Sequence, residues 1–296
     1  MCTRTASVTA AVLGLLLFVL VVPGLWAQPS GKGVGGRRLP DVKAIDQEEG
    51  KLVIQAFRNQ RLQGDFVFRF DLEQAPYRGE TRHYAGILMG NWNSLGPRNR
   101  VDLFKNENSD QSEVCLLIQG GWQPEVWRFD SSQSSANRVD ADAWLTPLLE
   151  AFIYTPFDIL MPFVFWQDFE YEGSERVRSR PAHLFRMYPP AAFKADHPEI
   201  ECVRLSLDAR YNALLSAEVL DHDERVVRQF RVVSFEEVND QYIVKTLDLV
   251  DQPTRTKTRI RITSAAVGMP VPASYFTTES LGTQLPDLST FNFEQL

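Results

Sequence analysis

Residues 242–263 read Tyr-Ile-Val-Lys-Thr-Leu-Asp-Leu-Val-Asp-Gln-Pro-Thr-Arg-Thr-Lys-Thr-Arg-Ile-Arg-Ile-Thr. Apolar and polar side chains alternate with period two on both sides of Gln252-Pro253-Thr254-Arg255, the pattern of half-buried strands around a turn. A loop at that tetrapeptide sets Asp251 opposite Thr256. The same register pairs Leu249 with Thr258, Asp248 with Arg259, and Leu247 with Ile260. Leu247, Leu249, Thr258 and Ile260 then share one face. Asp248, Lys257, Arg259 and Arg261 share the other, where opposite charges meet across the strands. One register satisfies both faces, so the segment is an antiparallel hairpin.

The same period recurs along the chain. Phe66, Phe68, Phe70 and Leu72 alternate with Val67, Arg69 and Asp71. Short strands are predicted at Arg82–Trp92, Arg100–Lys105, Glu113–Gln119 and Glu125–Asp130, separated by turn signals such as Gly96-Pro97 and Gly120-Gly121. After a break, strands return at Phe165–Tyr171, Arg176–Met187, Glu201–Asp208, Ala213–Asp221 and Val226–Val238, leading into the hairpin. This is a meander and not a βαβ series, so the sheet is antiparallel. About eleven or twelve strands make a sheet large enough to curl into a barrel or half-open barrel.

Two regions carry helical spacing. Ile45, Leu52, Val53, Ala56 and Phe57 fall on one face of a helix over Asp46–Leu62, with acids at its start and Arg58 and Arg61 at its end. Gly64 stops it, and Gly50 is a weak point within it. In mid-chain, Trp144, Leu145, Leu148, Leu149 and Phe152 have helical spacing, and Thr155-Pro156 is a helix-start signal. Ala151–Trp166 reads AFIYTPFDILMPFVFW, with Asp158 its one charge. That stretch is too short to span about 30 Å of hydrocarbon, yet too apolar for an ordinary surface loop.

The organisation follows. Residues 1–27 read as a secretory signal, with Arg4 ahead of an apolar run and Ala27 at the cleavage position. Residues 28–44 form a flexible leader with four glycines and little to bury. Residues 45–285 form the half-barrel domain, with a helical lid inserted at about 140–164, and 286–296 form a C-terminal tail. A net charge of −7 and a pI near 5.3 argue against nucleic acid as a partner. The chain has 4 histidines and 3 cysteines, and no nucleophile elbow, zinc motif, phosphate loop or Cys-x-x-Cys occurs. No catalytic residue, metal site or cofactor is therefore assigned, and the chain is read as a non-enzyme. His222, within Asp221-His222-Asp223-Glu224, reads as a solvated turn. Cys115 and Cys202 read as small buried thiols in preference to a disulfide.

The aromatic supply is the unusual feature. It either packs an ordinary core or lines a cavity between sheet and lid that a ligand's apolar chains complete. The candidate lining is Phe66, Phe68, Phe70, Trp92 and Trp127 from the sheet, with Leu148, Phe152, Phe157, Leu160, Phe163 and Phe165 from the insertion. Arg255, Lys257, Arg259 and Arg261 form a cationic row, read as a solvated face or as a docking strip for an acidic partner or lipid head groups.

The order of segments resembles the outer-membrane lipoprotein-sorting family, the LolA/LolB-like periplasmic carriers. The resemblance is carried by Val203-Arg204-Leu205-Ser206-Leu207-Asp208, Leu215-Ser216-Ala217-Glu218-Val219-Leu220-Asp221, Val227-Arg228-Gln229-Phe230-Arg231-Val232 and Ser274-Tyr275-Phe276-Thr277. The helix-to-strand entry Ala56–Phe66 adds to it, and together they span about residues 45–281. The resemblance implies an incomplete antiparallel barrel whose helical lid covers an apolar cavity. It implies a periplasmic monomer that shields the acyl chains of lipoproteins or lipids, an inner-membrane transporter that releases them, and an outer-membrane receptor. It also implies an arginine tying barrel to lid, for which Arg98 and Arg100 both qualify. With no lipobox cysteine at the end of the signal's apolar run, a soluble carrier fits better than an anchored receptor. The alternative within the same fold is a periplasmic sensor or interaction module that recognises envelope components and signals through a protein partner.

Overall fold

The computed structural model describes residues 44–105, 109, 111–130, 132–149, 152–282 and 287–296. The secretory segment 1–27, and all of the leader except Ala44, lie outside the described residues.

Helix α1 spans Gln47–Arg58. Asp46 accepts from the Glu49 amide at 2.8 Å while the Glu49 carboxylate accepts from the Asp46 amide at 3.3 Å, a capping box that fixes the start. The helix ends at Arg58 and not at Leu62, with Asn59 as its C-cap. Gly64, at φ 81°, turns the chain into the sheet, where a Cβ would stand 2.9 Å from Gly268 Cα. Gly50 has a packing reason: a Cβ there would lie 3.2 Å from Tyr171 and 3.3 Å from Phe185.

The strands are β1 (Phe66–Ala75), β2 (Arg82–Asn93), β3 (Gly96–Phe104), β4 (Val114–Gln119), β5 (Glu125–Asp130) and β6 (Asn137–Val139). After the insertion come β7 (Phe169–Val177), β8 (Arg180–Met187), β9 (Cys202–Asp208), β10 (Leu214–Leu220), β11 (Val226–Val238), β12 (Gln241–Asp251) and β13 (Thr256–Val267), then a short β14 (Glu294–Gln295). Among the described residues these make one 14-stranded antiparallel sheet, in the order β6-β5-β4-β3-β2-β1-β13-β12-β11-β10-β9-β8-β7, with β14 added on β13. First and last long strands meet in the middle, and β6 and β7 are the two edges. The barrel is therefore half-open. The β12–β13 hairpin has the register read from the sequence, with Asp251 opposite Thr256 and Leu247 opposite Ile260.

The strands missed or misplaced in the sequence have local reasons. β3 begins at Gly96, because Asn93 already pairs with Gly96 across a tight turn. The expected strand Phe165–Tyr171 starts only at Phe169, since Pro162–Phe165 is a 3-10 turn. A short helix in the β8–β9 connection, Ala191–Asp196, is too brief to leave a periodic signal.

The link from edge β6 to edge β7 has to cross the open mouth, and this link is the cover. It holds a 3-10 turn at Ala141–Ala143, helix Pro156–Leu160 and the turn Pro162–Phe165. The helix expected through Trp144–Phe152 does not form. Pro147 interrupts it, and the segment folds back instead, with the Leu148 amide donating to Tyr154 O and the Phe157 amide to Trp144 O, both at 2.9 Å. Phe157 and Leu160 are 0% and 2% exposed, so the cover is part of the main core and not a peripheral flap.

The other face of the sheet carries a second core. Val67, Met89, Cys115 and Leu117 pack there against Val271, Phe276, Leu281 and Phe291 from the C-terminal segment. The tail residues thus return to the sheet, ending with β14. Cys115 and Cys202 are both buried free thiols, and burial, with the nearby Asp102 charge, pushes the Cys115 thiol up to about 12.

Candidate functional site

The concave face and the cover enclose an apolar cavity of about 60 Å³. Its sheet wall is Phe70 and Leu72 from β1, Leu88 from β2, Val101 and Leu103 from β3, Leu214 from β10, Val232 from β11, Val244 and Leu247 from β12, and Ile260 and Ile262 from β13. Its roof is Leu148, Phe152, Tyr154, Asp158, Ile159 and Met161. Each wall residue points inward because side chains alternate along a strand. Phe70 lies over Gly86 of β2, where any Cβ would come within 2.1 Å of its ring, so that glycine makes room for the aromatic wall. A ligand site of drug-like size has about 300–1,000 Å³, so the enclosed space is well below that size.

Two arginines hold the cover. Arg228 on β11 donates from Nε to Asp158 Oδ1 at 2.6 Å, from Nη2 to Asp158 Oδ2 and Ile153 O, and from Nη1 to Asp251 Oδ1 at 3.4 Å. Asp158 Oδ2 also accepts from the Thr155 amide at 2.8 Å and the Thr155 hydroxyl at 2.9 Å, which caps the cover helix Pro156–Leu160. Burial pushes the Asp158 carboxyl up, opposed by Arg228 and Thr155. Arg58 of α1 donates to Val164 O at 2.7 Å and Trp166 O at 2.6 Å, and burial pulls its guanidinium down to about 10. Arg98 and Arg100 are therefore corrected as barrel-to-lid candidates. Both lie on the opposite face, where Arg98 donates to Phe276 O and Arg100 to Tyr275 O and the Ser280 hydroxyl.

Of the residues expected to line the cavity, Phe70, Leu148 and Phe152 do so. Phe66 and Phe68 stack at 4.6 Å in the main core. Phe157, Leu160, Phe163 and Phe165 are core residues of the cover, with Phe157 5.5 Å from Phe163 and 5.7 Å from Phe193. Trp92 sits half-buried at the margin, under Arg61 at 5.5 Å. Trp127 is on the other face, in the second core, because Val126 takes the inward position on β5. Sequence reading left Tyr154, Asp158 and Arg228 out of the site. Asp158, as the one charge in an apolar stretch, was the signal for a buried ion pair.

The cationic row is largely spent within the fold. Lys257 and Arg259 reach Asp248 at 3.0 and 2.7 Å, Arg255 lies 5.1 Å over Tyr77, and Arg261 is opposite Asp71. Burial alone would push Asp248 up, but hydrogen bonds from Arg259 and Lys257 outweigh it and hold the carboxyl below its usual range. His222 is exposed and bonded to Glu201 at 2.7 Å. No group of three or more potential metal ligands occurs among the described residues, and none of their helices is long and apolar enough to cross a membrane.

A half-open antiparallel barrel with an apolar cavity under a tethered cover is the LolA-like fold. The comparisons with known proteins agree on that fold. The chain is similar to a DUF1329 family protein from Desulfovibrio piger, with a TM-score of 0.68, 13% identity, and 80% of this chain and 100% of that chain covered. It is similar to a putative outer membrane lipoprotein-sorting protein domain from Vibrio parahaemolyticus, with a TM-score of 0.66, 11% identity, and coverage of 78% and 96%. A LolA superfamily protein from Nitrosomonas europaea gives 0.57, 14% identity, and coverage of 77% and 96%. A family model described only as "-like: Uncharacterized protein" matches residues 158–283. No curated protein matches the sequence.

Proposed function

We propose that this chain is a periplasmic carrier that shields the acyl chains of lipoproteins or lipids in its cavity during sorting to the outer membrane. The observation that carries this reading is the cavity itself: hydrocarbon side chains from seven strands on one side, and a cover tied down by a small set of polar contacts on the other. Burying each methylene of a cargo chain contributes about 0.8 kcal/mol, so the closed cover is displaced at the expense of its tethers and of the Phe157 cluster. The likeness to lipoprotein-sorting domains supports the reading through the shared fold. The secretory segment read at 1–27 supports the compartment. An inner-membrane release transporter and an outer-membrane receptor are the partners this role needs.

Native mass spectrometry of the mature chain, purified from a periplasm without detergent, tests the proposal. Bound mass that resolves into lipid or acylated protein is expected. A clean apo mass, with no uptake of added lipid or lipoprotein, would overturn the carrier reading in favour of an interaction module.

A further inference from the structure

Tyr154 interrupts the apolar lining. It is 2% exposed, it lines the cavity, and its hydroxyl has no hydrogen-bond partner. A buried hydroxyl left unpaired is unfavourable, and phenylalanine would fill the same space without that penalty. The hydroxyl is thus a polar point waiting for a group that the ligand supplies.

The surroundings define that group. Burial, followed by the Asp158 charge, pushes the Tyr154 phenol up, so it stays protonated and available as a donor. Beside it, the single cation Arg228 already faces two carboxylates, Asp158 and Asp251. A ligand carboxylate would add a third negative charge to this cluster, and a plain alkane would leave the hydroxyl unpaired. A neutral carbonyl oxygen accepts the hydrogen bond and brings no charge.

We propose that Tyr154 is the polar recognition point of the cavity. Its hydroxyl donates to the neutral carbonyl of an ester- or amide-linked acyl chain, so the site takes such chains in preference to free fatty acid carboxylates or alkanes. This rests on the cavity's being the site of apolar cargo, and it adds to that reading a residue and a chemical preference.

The test incubates the full chain, and its Tyr154→Phe variant, with an equimolar mixture of methyl palmitate, sodium palmitate and hexadecane, and reads the bound masses. Wild type is expected to retain the ester over the other two by about tenfold, the effect of one hydrogen bond. Tyr154→Phe is expected to hold ester and alkane in nearly equal amounts. Uptake without preference by wild type, or a preference unchanged in the variant, overturns the role of Tyr154 and leaves the carrier reading standing. No uptake of any probe by wild type overturns both. If the variant does not fold, the infrared carbonyl band of methyl palmitate bound to wild type decides. A shift to lower frequency than in hexane supports the hydrogen bond, and an unshifted band overturns it.

Discussion

Arg228 and Asp158 are 70 residues apart in sequence, and they meet at 2.6 Å where the barrel wall touches its cover. The aspartate side chain is 0% exposed and the arginine 14%. Removing one partner of a buried pair strands the other, at a cost of about 3–5 kcal/mol. Arg228→Met is therefore expected to lose about that much stability in urea unfolding. The double variant Arg228→Met/Asp158→Leu should recover most of it. Equal losses in the single and double variants would show that the pair does not couple wall and cover.

The cavity gives a second expectation. Val244 is 2% exposed and lines the space of about 60 Å³. Val244→Phe should occupy it, with a stability change of no more than about 1–3 kcal/mol. Uptake of an apolar fluorescent probe should fall at least tenfold. Unchanged uptake would place the cargo elsewhere on the protein.

On the opposite face, Arg100 and Asp102 are 1% and 0% exposed and bonded at 2.9 Å. Arg100 also reaches Tyr275 O and Ser280 of the C-terminal segment. Asp102→Ala leaves a buried guanidinium without its counter-ion, again a loss of about 3–5 kcal/mol. Limited proteolysis should then cut near residues 269–282 faster than in wild type. Equal cutting would mean that the apolar contacts of Phe276 and Leu281 alone hold the segment.

A pH dependence follows from His183, whose imidazole lies 3.2 Å from both the Tyr171 and Ser174 hydroxyls. Burial lowers its pKa, so the folded state favours the neutral ring. The unfolded state takes up the proton near pH 6.5. The contribution is thus fully present above that pH and is lost as pH falls toward the folded-state value. Stability should decline on acidification below about 6.5, and His183→Gln should flatten that decline. An unchanged profile would assign the acid limb to other groups.

Much of the sheet is legible in the sequence because its information is local. The β12–β13 register follows from residues within one hairpin, where a slip of one position would turn Asp248 and Arg259 onto the concave face that Leu247 and Leu249 occupy. The cover was legible as an apolar insertion, but not as a shape. Helical spacing at Trp144, Leu148 and Phe152 marked burial on several sides and not one face of a helix, and Pro147 allowed the chain to fold back. Phe68, Phe70 and Trp127 all looked like lining residues, yet only the tertiary structure separates core, cavity and second core.

The sequence by itself determined a curled antiparallel sheet, an N-terminal helix and a greasy link between two runs of strands, since period, turns and caps act over a few residues. The tertiary structure decided which arginine meets Asp158, which face the C-terminal segment covers, and which residue of the cavity lining keeps an unpaired hydroxyl. Those outcomes depend on where β11, β3 and the cover come to lie once the sheet has curled, and contacts between residues 70 or 180 positions apart leave no periodic trace in either partner.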